Sequence, residues 1–495
     1  MTHVVTGGAV AAGHELTVRA GIFALEEGGN AVDAAIAAAF MATVVEPVLA
    51  SPGGGGFAII GRVNNADETI LCDFFAQTPK HRNDTAEFTA IEADFSTTTQ
   101  TFHIGAGSTA TPGFIPGLFA LHERFARLPM QTLLSPAREV AEKGHKVNAF
   151  QAFLFRVVAP ILLATEESRA LFAPSGALLA QGDTLVNPGL ARLFARLADG
   201  GKTAWHEEVA PALLSLMAER GHLREEDLRT YHVAWRTPLH LETAQGTAFL
   251  NPPPAASGVM IALAENFLQE ITDERAECAA CAWAEALRRV DDLRRQSGHD
   301  VTALAAALAH PASRRGTTHI SAVDSEGLAC AITVSNGEGN GQIVPGYGFM
   351  PNNMLGEEDV NPHGDTGWPV DVRLSSMMAP TLARASNGRF LAFGSGGSNR
   401  IRSVIFLMLQ RLLAEGRALK DAVEAPRLHV EDGHLDAEPG WPENVRAELA
   451  RHFPDHRFWQ EKSLFFGGCH AVERSATGDL FAHGDSRRAG HAAII

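Results

Sequence analysis

The 495-residue chain is predicted to fold as one layered α/β unit, with sheets sandwiched between helical layers. Three observations predict it. The alanine-rich N-terminal stretch has helical spacing. The middle of the chain is mostly helical. From Gly316 onward the pattern switches to alternating strands joined by glycine-rich loops. No tandem repeat or low-complexity segment interrupts this order.

Each element has a local reason. "HELTVRAGIFALEEGGNAVDAAIAAAFMATVVEP" reads as two helices broken at Gly28-Gly29. Leu16, Ala20, Ile22, Phe23 and Leu25 keep an approximately helical spacing in the first. Asn30 and Asp33 suit the N-terminus of the second, and Pro47 stops it. The glycines of "SPGGGGFAII" lack the GxxxxGK[ST] pattern and lead into the strands "FAIIGRV" and "TILCDFF". They are read as positive-φ or close-approach positions and not as a nucleotide loop. From Thr111 to about Arg315 the pattern is mostly helical, interrupted by "TPGFIPG" and by the rigid, exposed turn "NPPPAASG". "LREEDLRTYHVAWRTPLHL" reads as a helix passing into an extended segment. "THISAVD-SEG-LACAITVS" is two alternating strands around a tight turn. The helix "IRSVIFLMLQRLLAEG" follows the Gly396-Gly397 pair, and "CHAVERSATGDLFAHG" is a last hairpin.

Composition excludes several functions. A net charge of −16, spread along the chain, argues against a nucleic-acid or anionic-membrane partner. The longest apolar run, Ala34 to Val45, falls short of the roughly 20 residues of a membrane span. The N-terminus has no basic region followed by an apolar core, so a cytoplasmic location is expected. Five cysteines make no disulfide framework. Cys278 and Cys281 form a CxxC, but in a stretch with the composition of a helix interior, so they are expected to serve packing. The 21 histidines include no HExxH and no Cys/His cluster at zinc spacing, and His299 and His310 are too far apart to share a metal. No GxSxG elbow is present. No metal or cofactor is expected.

"RRGTTHISAVDSEG" carries the chemistry. A threonine hydroxyl is a weak nucleophile and needs a base. Cutting the Gly316–Thr317 bond would give Thr317 a free α-amine with a pKa of about 7.7–8.0, which can take the hydroxyl proton. Gly316 removes Cβ crowding at that bond. The peptide N–H groups of "GSGGSNR", at a predicted helix start, are candidates to stabilise an oxyanion. "RLSSMMAPTL" adds two adjacent hydroxyls. From spacing alone a plain strand start remains open.

"TTHISAVDSEG", "VPGYGFMPNNML", "LSSMMAPTL", "GSGGS" and "GDSRRAG", in this order, resemble the small subunit of γ-glutamyltranspeptidases. "GGNAVDAAIAAAF", "VVEPVLASPGGGGF", "TPGFIPGL", "EEDLRTY" and "PPPAASG" resemble the large one. The resemblance covers nearly the whole chain. It implies an N-terminal-nucleophile (Ntn) hydrolase with a four-layer αββα sandwich, self-cleaved into subunits 1–316 and 317–495. It places the nucleophile at Thr317, a supporting hydroxyl at Ser335 and the oxyanion-hole glycines at Gly396 and Gly397. It implies that Asn336 and Glu357 hold the substrate amino group and that Ser375 and Ser376 hold its α-carboxylate. The implied substrate is a small γ-glutamyl amide such as glutathione, with water or an amine as acceptor.

Two departures stand out. The family's "DFRE" arginine, which pairs with the α-carboxylate, is replaced by Phe75 in "DFFAQTP". A bidentate, charge-assisted contact is thereby absent. Either another arginine reaches in, with Arg373, Arg400 and Arg402 as candidates, or the acyl group is not γ-glutamate and Phe75 lines an apolar pocket. The stretch between Glu357 and Ser375, which would carry a lid, is also short. A non-catalytic binding relative of the same fold is the alternative of another class.

Overall fold

The computed structural model describes residues 6–94, 99–272, 278–296, 317–357, 361 and 367–495. Gly316, His299, His310 and residues 358–360 and 362–366 of the expected lid segment lie outside the described residues.

Two antiparallel sheets form the centre. Their strands in chain order are β1 (Gly8–Ala12), β2 (Gly55–Arg62), β3 (Asn65–Phe74), β4 (Ala234–Arg236), β5 (Leu239–Thr243), β6 (Gly246–Leu250), β7 (Thr317–Asp324), β8 (Leu328–Ser335), β9 (Thr381–Ala385), β10 (Phe390–Gly396), β11 (Gly468–Arg474), β12 (Leu480–His483) and β13 (His491–Ile494). The first sheet runs β13-β1-β7-β8-β2-β3-β4 and the second β12-β11-β10-β9-β6-β5. Each sheet draws strands from both sides of residue 316.

Helices close the outer faces. On the first sheet lie α1 (Glu15–Glu26) and α2 (Ala31–Val45), with three longer helices over them. On the second lie α3 (Ser257–Thr272), α4 (Ala279–Gln296) and α5 (Arg400–Leu409). The result is the expected αββα order. α2 is buried along its whole length, which its alanines permit because they let helix and sheet backbones approach. Asn30 and Asp33 form the capping box expected of them, with Val32 and Asp33 N–H donating to Asn30 and Asn30 N–H donating to Asp33 at 2.8 Å.

Strand alternation divides the side chains of β7 and β8. Ile320, Ala322, Cys330, Ile332 and Val334 face the helices, whereas Val323, Ala329 and Ala331 face the second sheet. The glycine run before β2 works by close approach, as expected: a Cβ on Gly54 would fall 2.2 Å from the Ser335 carbonyl oxygen.

Three expectations are corrected. In the middle of the chain the extended segment expected after the helix Glu225–Thr230 is present as β4 and β5, but it continues into β6, which the pattern does not show, and "TPGFIPG" is no interruption, since the helix Phe114–Phe125 begins inside it. Short edge segments have too few residues for a period-2 signal. The turn "NPPPAASG" is mostly covered, with Asn251, Ala255 and Ala256 buried and Pro253 exposed. Cys278 stands just ahead of α4, not inside a helix, and is disulfide-bonded to Cys281. Three residues apart in a first helical turn, their Cα atoms lie 5.2 Å apart, within bridging range.

Gly394 on β10 sits against the His319 ring on β7, and a Cβ there would fall 2.3 Å from the ring. Gly394→Ala is expected to overpack the sheet interface by about 1–3 kcal/mol. A melting temperature equal to that of the unmutated protein would contradict this packing.

Candidate active site

Thr317 and Thr318 open β7 on opposite faces. Thr317 is paired in register with Ser335 of β8, and both lie on the face toward the second sheet. Thr318 points the other way and donates its hydroxyl to Glu46 at 2.9 Å. One hydroxyl of the pair is therefore held among the helices, while the other lines a cavity.

That cavity measures about 390 Å³ including its open mouth. Its polar lining is Thr317, Ser335, Glu357, Ser376 and Ser398. Its apolar lining is Phe75, Met354, Met377, Met378 and Ile401. The Ser335 hydroxyl accepts from Gly337 N–H and the Ser376 hydroxyl from Met378 N–H, each at 3.1 Å, which fixes both oxygens. The Glu357 carboxylate packs against Gly337, whose φ of +63° and missing Cβ make room for it. Asn336 is fully buried beside this turn, and neither of its side-chain amide atoms has a hydrogen-bond partner among the described residues.

The oxyanion-hole candidates lie at the end of β10. Gly396 packs on the Thr317 carbonyl, where a Cβ would fall 2.1 Å from that oxygen. Gly397 follows with φ +123°, a region open chiefly to glycine, and Ser398 is left-handed at φ +53°. The turn then enters α5, with Arg400 and Ile401 N–H bonded to the Gly397 and Ser398 carbonyls. Asn399 anchors it by donating to Glu431 at 2.8 Å.

Of the residues singled out by sequence, Thr317, Ser335, Glu357, Ser376 and Phe75 converge on the cavity. Gly396 and Gly397 border Thr317. Asn336 sits beneath the Glu357 turn, and Ser375 is half-buried outside the lining. Sequence reading passed over Ser398 and the methionines, although "GSGGS" and "LSSMMAPTL" contain them. A methionine reads as core packing wherever it stands.

None of the three candidate arginines lines the cavity. Arg373 donates to the Phe75 carbonyl, to Tyr231 and, at 2.6 Å, to the His232 carbonyl, and it faces buried Asp73 at 3.5 Å. Arg402 is paired with Asp291 at 3.0 Å, and Arg400 stacks on Phe465. Phe75 stacks on Phe57 at 5.3 Å within the sheet interface. Other nucleophiles are poorly placed. The free cysteines Cys72, Cys330 and Cys469 are all buried, and burial pushes their thiols up from the ordinary range. Among the described residues no group of His, Cys, Asp and Glu side chains is arranged to hold a metal, and no helix is long and apolar enough to cross a membrane.

Two facing sheets between helical layers, with a strand-initial threonine at a cavity between the sheets, define an amidohydrolase-like Ntn fold. The sequence matches the family described as Gamma-glutamyltranspeptidase over residues 17–307 and 282–495, and the chain belongs to that family. It is 28% identical to a glutathione hydrolase proenzyme of Pseudomonas aeruginosa, over 86% of this chain and 83% of that one. It is 27% identical to an acylase ACY 1 proenzyme of a Pseudomonas species, over 96% and 91%. Its fold matches a cephalosporin acylase structure from Bacillus halodurans with a TM-score of 0.82, at 21% identity, over 99% of this chain and 96% of that one. The protein is an enzyme of this family, whose members include hydrolases and acylases.

If Arg373 serves the fold and not the cavity, Arg373→Met should lower the melting temperature, because it leaves Asp73 buried with Arg236 as its remaining ion-pair partner. The KM for carboxylate-bearing donors should stay unchanged. A large KM rise at constant melting temperature would move Arg373 into substrate contact.

Proposed function

We propose that the protein is a self-processing threonine amidohydrolase that acylates Thr317 and prefers an apolar acyl group without an α-carboxylate. The observation that carries the reading is the division of labour in β7: Thr318 is bonded to Glu46 behind the sheet, and Thr317 lines the cavity. Maturation cuts the Gly316–Thr317 bond and frees the α-amine, which serves as the base for the Thr317 hydroxyl. The hydroxyl attacks the amide carbonyl. N–H groups at Gly396 and Gly397 stabilise the oxyanion, Ser335 supports the nucleophile, and water or an amine releases the acyl group.

The acyl preference rests on the cavity wall. Among the described residues, Phe75, Met354, Met377, Met378 and Ile401 line it with no cation, and Glu357 is its one charged side chain. A carboxylate entering there would be desolvated beside a like charge. Glu357 and the unpartnered amide of Asn336 favour an amine on the acyl group. That same pair supports the second reading, hydrolysis of γ-glutamyl amides such as glutathione, with Ser375 and Ser376 holding the carboxylate alone. The proenzyme names of the relatives support maturation into two subunits, 1–316 and 317–495.

Two experiments test this. Intact mass analysis should find a fragment beginning Thr317-Thr318-His319, and Thr317→Ala should leave one uncut, inactive chain. A fragment starting at Thr318 would move the nucleophile by one residue. Turnover of γ-glutamyl anilide and of apolar acyl anilides should then be compared in the unmutated enzyme and in Phe75→Arg. One charge-assisted bond is worth about 1.5–3 kcal/mol, so Phe75→Arg should lower the γ-glutamyl KM by roughly one to two powers of ten and impair apolar donors. A γ-glutamyl KM already in the micromolar range, and weakened by the substitution, would decide for the second reading.

A further inference from the structure

Behind Thr317, on the helical side of the first sheet, lies a polar group to which the proposed reaction assigns no part. Glu46 is the residue that ends α2, immediately before Pro47, and it is buried. One carboxylate oxygen accepts from Thr318 at 2.9 Å and the other from Thr17 of α1 at 3.1 Å. The carboxylate thus ties together α1, the end of α2 and the start of β7. Gly13 leaves room for it, since a Cβ there would fall 2.5 Å from a Glu46 oxygen and 3.1 Å from the Thr318 hydroxyl. A hollow lined by Glu46, Gly13 and Thr318 also reaches Thr317, Gly396 and Arg488.

We propose that Glu46 is a positioning residue for Thr317: its carboxylate holds Thr318, and through that bond fixes the first residue of β7 from the side opposite the substrate. This rests on Thr317 being the nucleophile. Two hydroxyls donating to an ionised carboxylate make two charge-assisted bonds. Protonation turns one oxygen into a donor, so one threonine must reverse or release its bond. The clamp is therefore tight when Glu46 is charged and loose when it is not.

The surroundings make that change fall near neutrality. Burial pushes Glu46 up to about 7, against the hydroxyls of Thr318 and Thr17 and the charge of Arg488. The end of a helix, with its exposed carbonyls, also disfavours a negative charge. The other titratable groups around this chamber are His14 at the head of α1, His145 beside Gln151, His319 on β7 and His470 on β11. Burial lowers all four, His14, His145 and His470 to about 4 and His319 well below its ordinary value. Arg488, lowered by burial to about 10, stays charged. His491 acts on His14 from exposed strand β13. Glu46 is thus the buried group of this chamber that changes charge around pH 7.

Activity and stability should then respond in opposite directions. The fold holds the Glu46 proton more tightly than the unfolded chain, where the value is about 4.5. Ionisation therefore costs stability as pH rises from there through about 7, and the cost is complete above it. The same ionisation tightens the clamp.

The test uses the matured full chain. The kcat of the unmutated enzyme should rise through an ionisation near pH 7. Glu46→Gln mimics the protonated form, so it should lack that step and turn over about tenfold more slowly at pH 8.5 with unchanged KM. It should also melt at a higher temperature than the unmutated protein at pH 8.5. Thr318→Val should reproduce the kcat loss, and the double variant should be no slower than the slower single one. A Glu46→Gln enzyme with the unmutated pH profile would overturn the proposal. So would parallel loss of activity and stability at every pH, which marks a merely structural role, or additive losses in the double variant. If Glu46→Gln does not fold, a Thr318→Val enzyme with full kcat overturns it alone. An active Thr317→Ala enzyme would instead remove the nucleophile reading beneath it.

Discussion

The closeness of the two sheets at the start of β7 governs the rest of the structure. Two glycines make the approach possible: Gly394 against the His319 ring and Gly396 against the Thr317 carbonyl. His319 fills the narrowest point. Both its ring nitrogens are spent, on Thr333 at 2.8 Å and Ser321 at 2.9 Å, and burial keeps it neutral. It is a spacer with satisfied polar atoms, and its size sets the gap between the sheets. Thr317 shares its face and lies at the end of the strand, where the sheets part. A residue one place along would point into the helices, so the site depends on register as much as on residue type.

Buried charge holds the surrounding turns. Asp485 accepts from Cys469 N–H at 2.8 Å and is paired with Arg427 and Arg487, and Arg487 is paired in turn with Glu438 at 2.7 Å. Burial works to raise the Asp485 carboxyl, but the two guanidiniums hold it below the usual range. Breaking such a buried pair costs about 3–5 kcal/mol, because the remaining charge is stranded. This network carries the short turn whose Arg488 donates to the Thr317 carbonyl at 3.2 Å. A second network, Asp291, Arg402 and Glu431, holds Asn399 under the left-handed Ser398. The start of β7 and the glycine turn thus rest on separate charged supports.

Sequence made the periodic parts legible. The β7–β8 hairpin alternates in its residues and is a hairpin, and the α2 capping box is visible in "NAVD". What sequence left obscure has no period. The extended segment that holds β4 and the start of β5 was legible, but the strand β6 (Gly246–Leu250) was not, and Cys278 lies on a helix boundary that composition alone does not place. Within the site, threonine, serine and glycine were legible through the ordered motifs of the family resemblance, because spacing alone left a plain strand start open. Glu46 was not. In "VVEP" it reads as the residue where a helix stops, and its contacts come from Thr17 and Thr318, remote in sequence. Ordered motifs revealed the family, but side-chain direction decides which threonine meets the cavity.

The charge balance of the cavity follows from backbone topology more than from the substitution at Phe75. Arg373 bonds the carbonyl of Phe75, which lines the cavity, and its donors are committed before any ligand arrives. The Phe75 carbonyl, Tyr231 and the His232 carbonyl take them, and Asp73 supplies the countercharge. Asp73 is itself buried and also paired with Arg236 at 2.8 Å, so swinging Arg373 inward would leave a carboxylate half-compensated. That cost, several kcal/mol for a buried charge, exceeds the roughly 1.5–3 kcal/mol one new charge-assisted bond returns. The arginine stays with the fold. With Phe75 stacked on Phe57 and three methionines in the lining, Glu357 is the one charged side chain among the described residues of the cavity.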